Sequence, residues 1–369
     1  MKYLAKFIWG IVKTIGFIAL FSFLLASFSD RVSPYTCLPL QYLGLFFPLI
    51  LGINVLFFIV FLIFKQWKSG LVFLVVFLLC SGSIHTYFPL HRKTEKIPDN
   101  CIKLLTYNVM RFDLLAKHEK KHPNPVVQYI IDQKADIICI QEYGALTNGN
   151  HILSEEALIK AFSATPYYYI ERLRPSTPQI SYGLAIFSKY PILNVKKIPY
   201  DSEYNGSIIA ELNIRGKKVT LINNHLESNK LSGDERTGYY DMTKEINTEK
   251  LENFTHMMSK RLTPAYKTRA LQAQLVDKII RENKNPYIIV CGDFNDTPIS
   301  YVRHKIKGDL EDAFVTSGNG MGITFNRYRF LFRIDYIFHS KNMKAYNCTV
   351  GKLRNSDHYP VSTYLEFIE

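Results

Sequence analysis

What the first quarter of this 369-residue chain lacks is charge. Between Met1 and His91 the only charged side chains are Lys2, Lys6, Lys13, Asp30, Arg31, Lys65 and Lys68. Soluble helices need polar stripes at helical period, and their scarcity excludes a soluble helical domain here. Cysteine is sparse as well: six residues, none in a CxxC pair, with Cys37, Cys80, Cys139 and Cys291 inside apolar runs. Nothing in the spacing asks Cys101 and Cys348 to pair, so a disulfide framework is excluded and the redox compartment stays open. The polar part carries no internal repeat and no low-complexity run.

What is present in the first quarter is hydrocarbon. Three apolar stretches run Phe7 to Phe28, Leu38 to Phe64 and Leu71 to Leu90, the first broken only by Lys13. About 20 apolar residues cross a bilayer, so each is long enough. A signal peptide, with an apolar region of about 7–15 residues, explains only the first. The expectation is three transmembrane helices, with lipid bilayer around residues 7–90 and a multi-pass place in the cell membrane. Lys2, Lys6, Lys65 and Lys68 then share one side, which the positive-inside rule puts in the cytoplasm. By parity the polar domain is extracytoplasmic, although Arg92, Lys93 and Lys96 argue the other way. The division expected is an anchor over 1–91, a linker over 92–100 and an α/β domain over 101–369.

The net charge is +13, from 45 Lys and Arg against 32 Asp and Glu. An excess of that sign favours anionic partners such as phosphate esters, nucleic acid or acidic lipid headgroups. In the polar part, strands alternate with helices. Strands are expected at Ile102 to Val109, Asp136 to Gln141, Tyr182 to Phe187, Ser207 to Ile214, Lys218 to Asn223, Tyr287 to Cys291, Ile334 to His339 and Val361 to Phe367. Asn124-Pro125 reads as a cap and first-turn proline. A second helix is expected over Thr268 to Glu282. Arg215-Gly216 reads as a hairpin turn.

The informative residues sit at the strand ends. Asn108 ends the first strand, Glu142 the second, and His225 follows another. Asp293 and Asn295 come just after Val290-Cys291, Asp335 lies in Arg333-Ile334-Asp335-Tyr336, and Asp357-His358 precede the last strand. Any one of them reads as a cap or turn residue. Together they do not, because such groups are costly to desolvate unless paired. Their types suit one chemistry: hard oxygen ligands without thiolate favour Mg²⁺ or Mn²⁺. Glu142 with Asn108 and Asp357 can hold the metal, and Asp335 with His358 makes a carboxylate–imidazole pair. Asp293 and Asn295 can orient or deprotonate the attacking water, while His225 can donate to developing charge.

The ordered set Thr106-Tyr107-Asn108, Ile140-Gln141-Glu142, Asn224-His225-Leu226, Gly292-Asp293-Phe294-Asn295-Asp296, Arg333-Ile334-Asp335-Tyr336 and Ser356-Asp357-His358-Tyr359-Pro360-Val361 resembles the endonuclease/exonuclease/phosphatase superfamily. Gly183 to Ser188, followed by Tyr190-Pro191, matches it too. The resemblance implies a four-layer α-β-β-α sandwich with a site at one end of two packed sheets, in a metal-dependent phosphoesterase. It carries the roles above onto the same residues. His225 matches the deoxyribonuclease and lipid-phosphoesterase branches, where abasic-site enzymes have asparagine. The substrate is left open among phospholipid headgroup, inositol phosphate and nucleic acid. A surface nuclease and a catalytically silent binding module are the competing readings. Ser228 to Lys267 reads as an insertion, either a helical lid or a solvated ornament. Arg172, Arg174 and the alternating Arg327-Tyr328-Arg329-Phe330 are candidate substrate contacts.

Overall fold

The computed structural model describes residues 2–114, 124–147, 152–173, 176–230, 248–327 and 331–368. The strands are β1 (Ile102–Asn108), β2 (Ile137–Leu146), β3 (Tyr167–Arg172), β4 (Ile180–Ser188), β5 (Ile192–Ile198), β6 (Gly206–Ile214), β7 (Lys217–His225), β8 (Tyr287–Asp293), β9 (Glu311–Asp312), β10 (Asp335–His339), β11 (Met343–Val350) and β12 (Val361–Phe367). They form two six-stranded sheets, ordered β11-β12-β1-β2-β4-β3 and β5-β6-β7-β8-β10-β9. Both are mixed: β1 runs parallel to β2 and β7 parallel to β8, while the other long pairs are antiparallel.

The continuous apolar runs follow from burial on both faces. Along β1, Ile102 and Leu104 enter the core between the sheets, while Leu105 and Tyr107 enter a second core outside. Helices Pro125–Asp132 and Glu155–Ala161 cover that outer face. The first is capped by Asn124 Oδ1, which accepts from the backbone of Val126 and Val127. The other sheet is covered by helices Thr248–Glu282 and Tyr301–Lys307. The four layers are therefore α-β-β-α. Arg215 and Gly216 join β6 to β7 with positive φ at both residues, the requirement of a two-residue type I′ turn.

The first quarter differs from the expectation. Tyr3–Arg31 forms one straight unit long and apolar enough to cross a membrane. The second and third stretches are each broken: Leu38–Leu45 meets Phe47–Ile63 at 67°, and Trp67–Leu79 meets Ser81–Tyr87 at 64°. Three uninterrupted spanning helices are thus reduced to one, plus two bent pairs. The first break has a clear cause. Pro48 stands in the first turn of Phe47–Ile63, offers no N–H and collides with the carbonyl four residues earlier, at Gly44. At the second, Ser81-Gly82-Ser83 is a run of weak helix formers.

The long helices pack antiparallel. Trp9 meets Phe64 at one end (5.2 Å between ring centroids), and Phe23, Phe47 and Tyr87 meet at the other. That second end docks on the sandwich. Asp30 pairs with His304 at 3.4 Å, Tyr42 Oη lies 3.1 Å from Thr263 Oγ1, and Arg333 Nη2 donates to the Thr86 carbonyl. At Gly44 a Cβ would stand 2.3 Å from the Ile299 carbonyl, so the approach of the two regions requires glycine there. The 92–100 segment is itself tied to the sandwich, with Thr94 and Asn347 exchanging two hydrogen bonds and Asn100 Nδ2 donating to Glu366 Oε1.

Candidate active site

Strand direction decides where the polar side chains gather. Parallel strands β1 and β2 leave the sandwich at the same end, and the antiparallel β12 enters there, so Asn108, Glu142 and Asp357-His358 come together. In the other sheet β7 and β8 leave at that end and β10 enters, which aligns His225 with Asp293 and Asp293 with Asp335. Both sheets thus deliver their costly polar groups to one rim.

The position of Glu142 differs from the strand end expected of it. β2 continues to Leu146, and Glu142 stands inside the strand at a bulge where the pairing with β4 slips between Ile140 and Tyr143. Its φ of +50° marks the extra residue. The bulge turns this carboxylate from the ladder into the cleft.

Asn108 links the two sheets. Its Nδ2 donates to Glu142 Oε1 (3.2 Å) and to Asp293 Oδ2 (3.1 Å). His358 Nδ1 lies 2.9 Å from Asp335 Oδ2, and its Nε2 is 3.6 Å from Asp293 Oδ2. His225 Nε2 is 3.8 Å from both Glu142 Oε1 and Asp293 Oδ2, and its buried Nδ1 has no hydrogen-bond partner among the described residues. The Asn295 backbone N–H donates to Asp293 Oδ1 at 2.8 Å, while its side-chain Nδ2 is held by the Leu226 carbonyl. Asn295 therefore positions Asp293 through its backbone.

Electrostatics divide the two histidines. Burial pushes His225 below its usual range despite the carboxylate of Asp293, so its imidazole is neutral. Burial opposes the imidazolium of His358 as well, but Asp335 and Asp293 outweigh it and hold it well above its usual range. Burial, with Asp335 beside it, raises Asp293 to about 6, against the pull of His358 and His225. Burial and then Asp357 raise Glu142, whose side chain is 26% exposed.

Supports that the sequence reading did not single out lie under the site. Ser356 Oγ donates to the Asn108 carbonyl (2.7 Å) and Thr324 Oγ1 accepts from the backbone of Ile334 and Asp335. Between the sheets Gln141 Nε2 donates to Asn223 Oδ1 at 2.6 Å and to Thr106 Oγ1 at 3.0 Å. Ser356 and Gln141 stand inside the quoted motifs, so a signal for them existed. Of the candidate substrate contacts, Arg172 is paired with Glu155 at 2.7 Å and lines neither cleft pocket, and Arg327 reaches the Arg354 carbonyl. Arg174 and 328–330 fall outside the described residues, as does 231–247 of the insertion with Tyr239 and Tyr240. The remainder, from Thr248, is helix continuous with the segment expected from Thr268.

A family model described as Endonuclease/Exonuclease/phosphatase family matches residues 105–358. The chain belongs to that family. A second model, described as a domain of unknown function, matches residues 6–87. No curated protein matches the chain. Among solved structures, an endonuclease/exonuclease/phosphatase from Beutenbergia cavernae DSM 12333 aligns with a TM-score of 0.50 at 15% identity, over 73% of this chain and 72% of that one. A family protein from Leptotrichia buccalis C-1013-b gives 0.48 at 18% identity, over 72% and 100%. The human Nocturnin catalytic domain with bound sulfate gives 0.49 at 17%, over 73% and 95%. At these identities the likeness concerns the fold alone.

Family members hydrolyse phosphoester bonds, generally with a divalent metal. The donor set here fits such an ion. Glu142 and Asp357 line the same cleft, and the Asp357 charge adds to burial in raising the Glu142 carboxyl, a repulsion that a cation between them would relieve. Asp293, Asp335 and His358 bring one ligand atom each within 4.8 Å of one another, but there the His358–Asp335 bond already satisfies two of the three. Oxygen donors without thiolate favour a hard cation at the Glu142 side.

Proposed function

We propose that this chain is a membrane-anchored phosphoesterase that uses Mg²⁺ or Mn²⁺ to hydrolyse phosphodiester or phosphomonoester bonds. The observation that carries the reading is Asn108 bridging Glu142 and Asp293, one from each sheet, beside a carboxylate-bound His358. Glu142, Asp357 and the amide oxygen of Asn108 would hold the metal, which supplies Lewis acidity toward the phosphoryl oxygens. Asp293, with a pKa near neutral, accepts the proton of the attacking water. Asn295 orients that carboxylate. His358, kept protonated by Asp335, donates from Nε2 to the phosphoryl group, and neutral His225 donates to the developing charge.

The anchor reading rests on charge and length. Helix Lys2–Ser27 extends roughly 39 Å against a hydrocarbon core of about 30 Å. Lys2, Lys6, Lys65 and Lys68 lie at the Trp9–Phe64 end, away from the sandwich. The positive-inside rule then favours a cytoplasmic place for that end, one crossing by helix Lys2–Ser27, and an extracytoplasmic sandwich at the other end.

The test is a panel of DNA, RNA, phospholipids and inositol phosphates given to the full-length protein in Mg²⁺, in Mn²⁺ and in EDTA. Metal-dependent turnover of at least one ester is expected; turnover that persists in EDTA would sink the metal assignment.

A further inference from the structure

The cleft that holds the catalytic groups has an apolar wall that hydrolysis of a water-soluble ester does not need. Its floor carries Glu142, His225, Asp293 and His358. Its wall carries Leu45 and Phe46 from the N-terminal region, with Leu262 and Phe332 from the sandwich.

The bend at Phe46 makes this wall. Helix Leu38–Leu45 lies on the sandwich, with Tyr42 edge-on to Tyr266 at 5.8 Å and Leu38, Tyr42 and Leu45 packed on Leu262 and Tyr266. At Phe46, 38% exposed, the chain turns into Phe47–Ile63, whose Leu49, Leu56 and Ile63 are open on the outer surface. Apolar surface therefore continues from the catalytic floor, past Leu45 and Phe46, to the helices read above as lipid-facing.

Charge points the same way. Among the described residues lining the cleft and the neighbouring pocket that shares Glu142 and His225, the Lys and Arg side chains are Arg111, Lys230 and Arg269. Lys230 is paired with Glu227 at 2.6 Å; Arg269 is buried and bonded to Asp296, Asn229 and the Glu227 carbonyl. A nucleic-acid strand needs a row of free cations along its backbone, and two of these three are engaged.

Resting on the phosphoesterase reading, we propose that the substrate is a bilayer lipid, its phosphoester on the catalytic floor and its acyl chain along Leu45 and Phe46. Water adds across one P–O ester bond: its oxygen bonds to phosphorus, one of its protons goes to the departing alkoxide, and a phosphate ester and an alcohol result.

The test uses the full-length protein in nanodiscs. Phosphatidylglycerol, phosphatidylcholine and phosphatidylinositol are each compared with the matching deacylated glycerophosphodiester, beside a single-stranded oligonucleotide. For at least one pair, kcat/KM for the acylated member exceeds the other tenfold or more, and Phe46→Asp or Leu45→Asp lowers that ratio at least tenfold. A second measurement needs no variant: n-alkyl phosphates from ethyl to octyl inhibit hydrolysis of bis(4-nitrophenyl) phosphate, and each added methylene tightens inhibition about fourfold. Equal rates for acylated and deacylated esters, a flat alkyl series, or preference for the oligonucleotide overturns the lipid inference and leaves the phosphoesterase reading standing. Hydrolysis of no ester in Mg²⁺ or Mn²⁺ overturns both.

Discussion

The helices before residue 91 and the sandwich after it use the same apolar residue types against opposite surroundings. In the sandwich Leu104, Leu184 and Ile289 are fully buried between sheets. In the N-terminal region Phe7 and Leu78 are each 66% exposed, and the wholly buried side chains, such as Phe61 and Phe73, lie where the helices touch. An outward apolar face of that extent is stable only against another apolar medium. The comparison teaches that the polar groups follow a related division: the sandwich brings Asn108, Glu142, His225, Asp293, Asp335 and His358 to one rim, whereas the helices, Lys13 apart, keep their charged side chains near the ends.

The largest effect separates chemistry from architecture. EDTA should abolish hydrolysis and added Mg²⁺ should restore it, with the circular dichroism of both regions unchanged. Glu142→Ala should raise the Mg²⁺ concentration for half-maximal rate and be partly rescued by excess Mg²⁺; a variant insensitive to Mg²⁺ would take Glu142 out of the metal site.

Next in size is a charge buried in the sandwich. Asp312 accepts from Arg303 Nη2 at 2.7 Å with both side chains nearly inaccessible, and it caps Ala313–Ser317. Asp312→Ala strands the guanidinium and should cost about 3–5 kcal/mol in chemical denaturation. Burial raises the Asp312 carboxyl, but Arg303 and Arg333 outweigh it and hold it below 3.8. Its contribution is therefore complete above about pH 4 and is lost as pH falls through the lower folded value.

A matched pair probes the two surroundings directly. Leu56→Lys, on an exposed face of Phe47–Ile63, should cost about 3–4 kcal/mol of membrane insertion. Leu271→Lys, similarly exposed on the sandwich helix, should change stability by about 0.5 kcal/mol or less. Equal costs would erase the distinction between the two media.

Within the site, His358→Ala should lower kcat about 100-fold, or ~2.7 kcal/mol, with the metal requirement kept. Asp335→Asn should reproduce it, because the 2.9 Å bond to Nδ1 holds the imidazolium. Near-normal turnover in a folded His358→Ala protein would make the pair structural.

Legibility in the sequence followed the strength of the local signal. Asn108, His225 and Asp293 were readable because a polar group directly after a buried apolar run has few inexpensive explanations. Glu142 was read in the right cluster but at the wrong place on its strand, since a bulge leaves no mark in residue type. Strands β3, β5, β9 and β11 went unread. All four are edge strands; β3 and β5 hold mostly exposed or half-buried residues, β9 is two residues long, and β5 and β11 carry Lys196, Lys197 and Lys344. Edge strands dilute their apolar pattern with charge, which is how they resist further pairing.

The sequence by itself determined the kind of chemistry on offer and the presence of a lipid-suited segment, because both depend on side-chain type: oxygen and imidazole donors after apolar runs, and long stretches without charge. Tertiary structure alone decided that Asn108 spans two sheets, that Asp293 lies within 4 Å of both histidines, and that Pro48 bends a helix so that Leu45 and Phe46 reach the catalytic cleft. Those facts depend on strand direction, register and the angle of one bend, and distances between residues far apart in the chain are set by packing rather than by residue type.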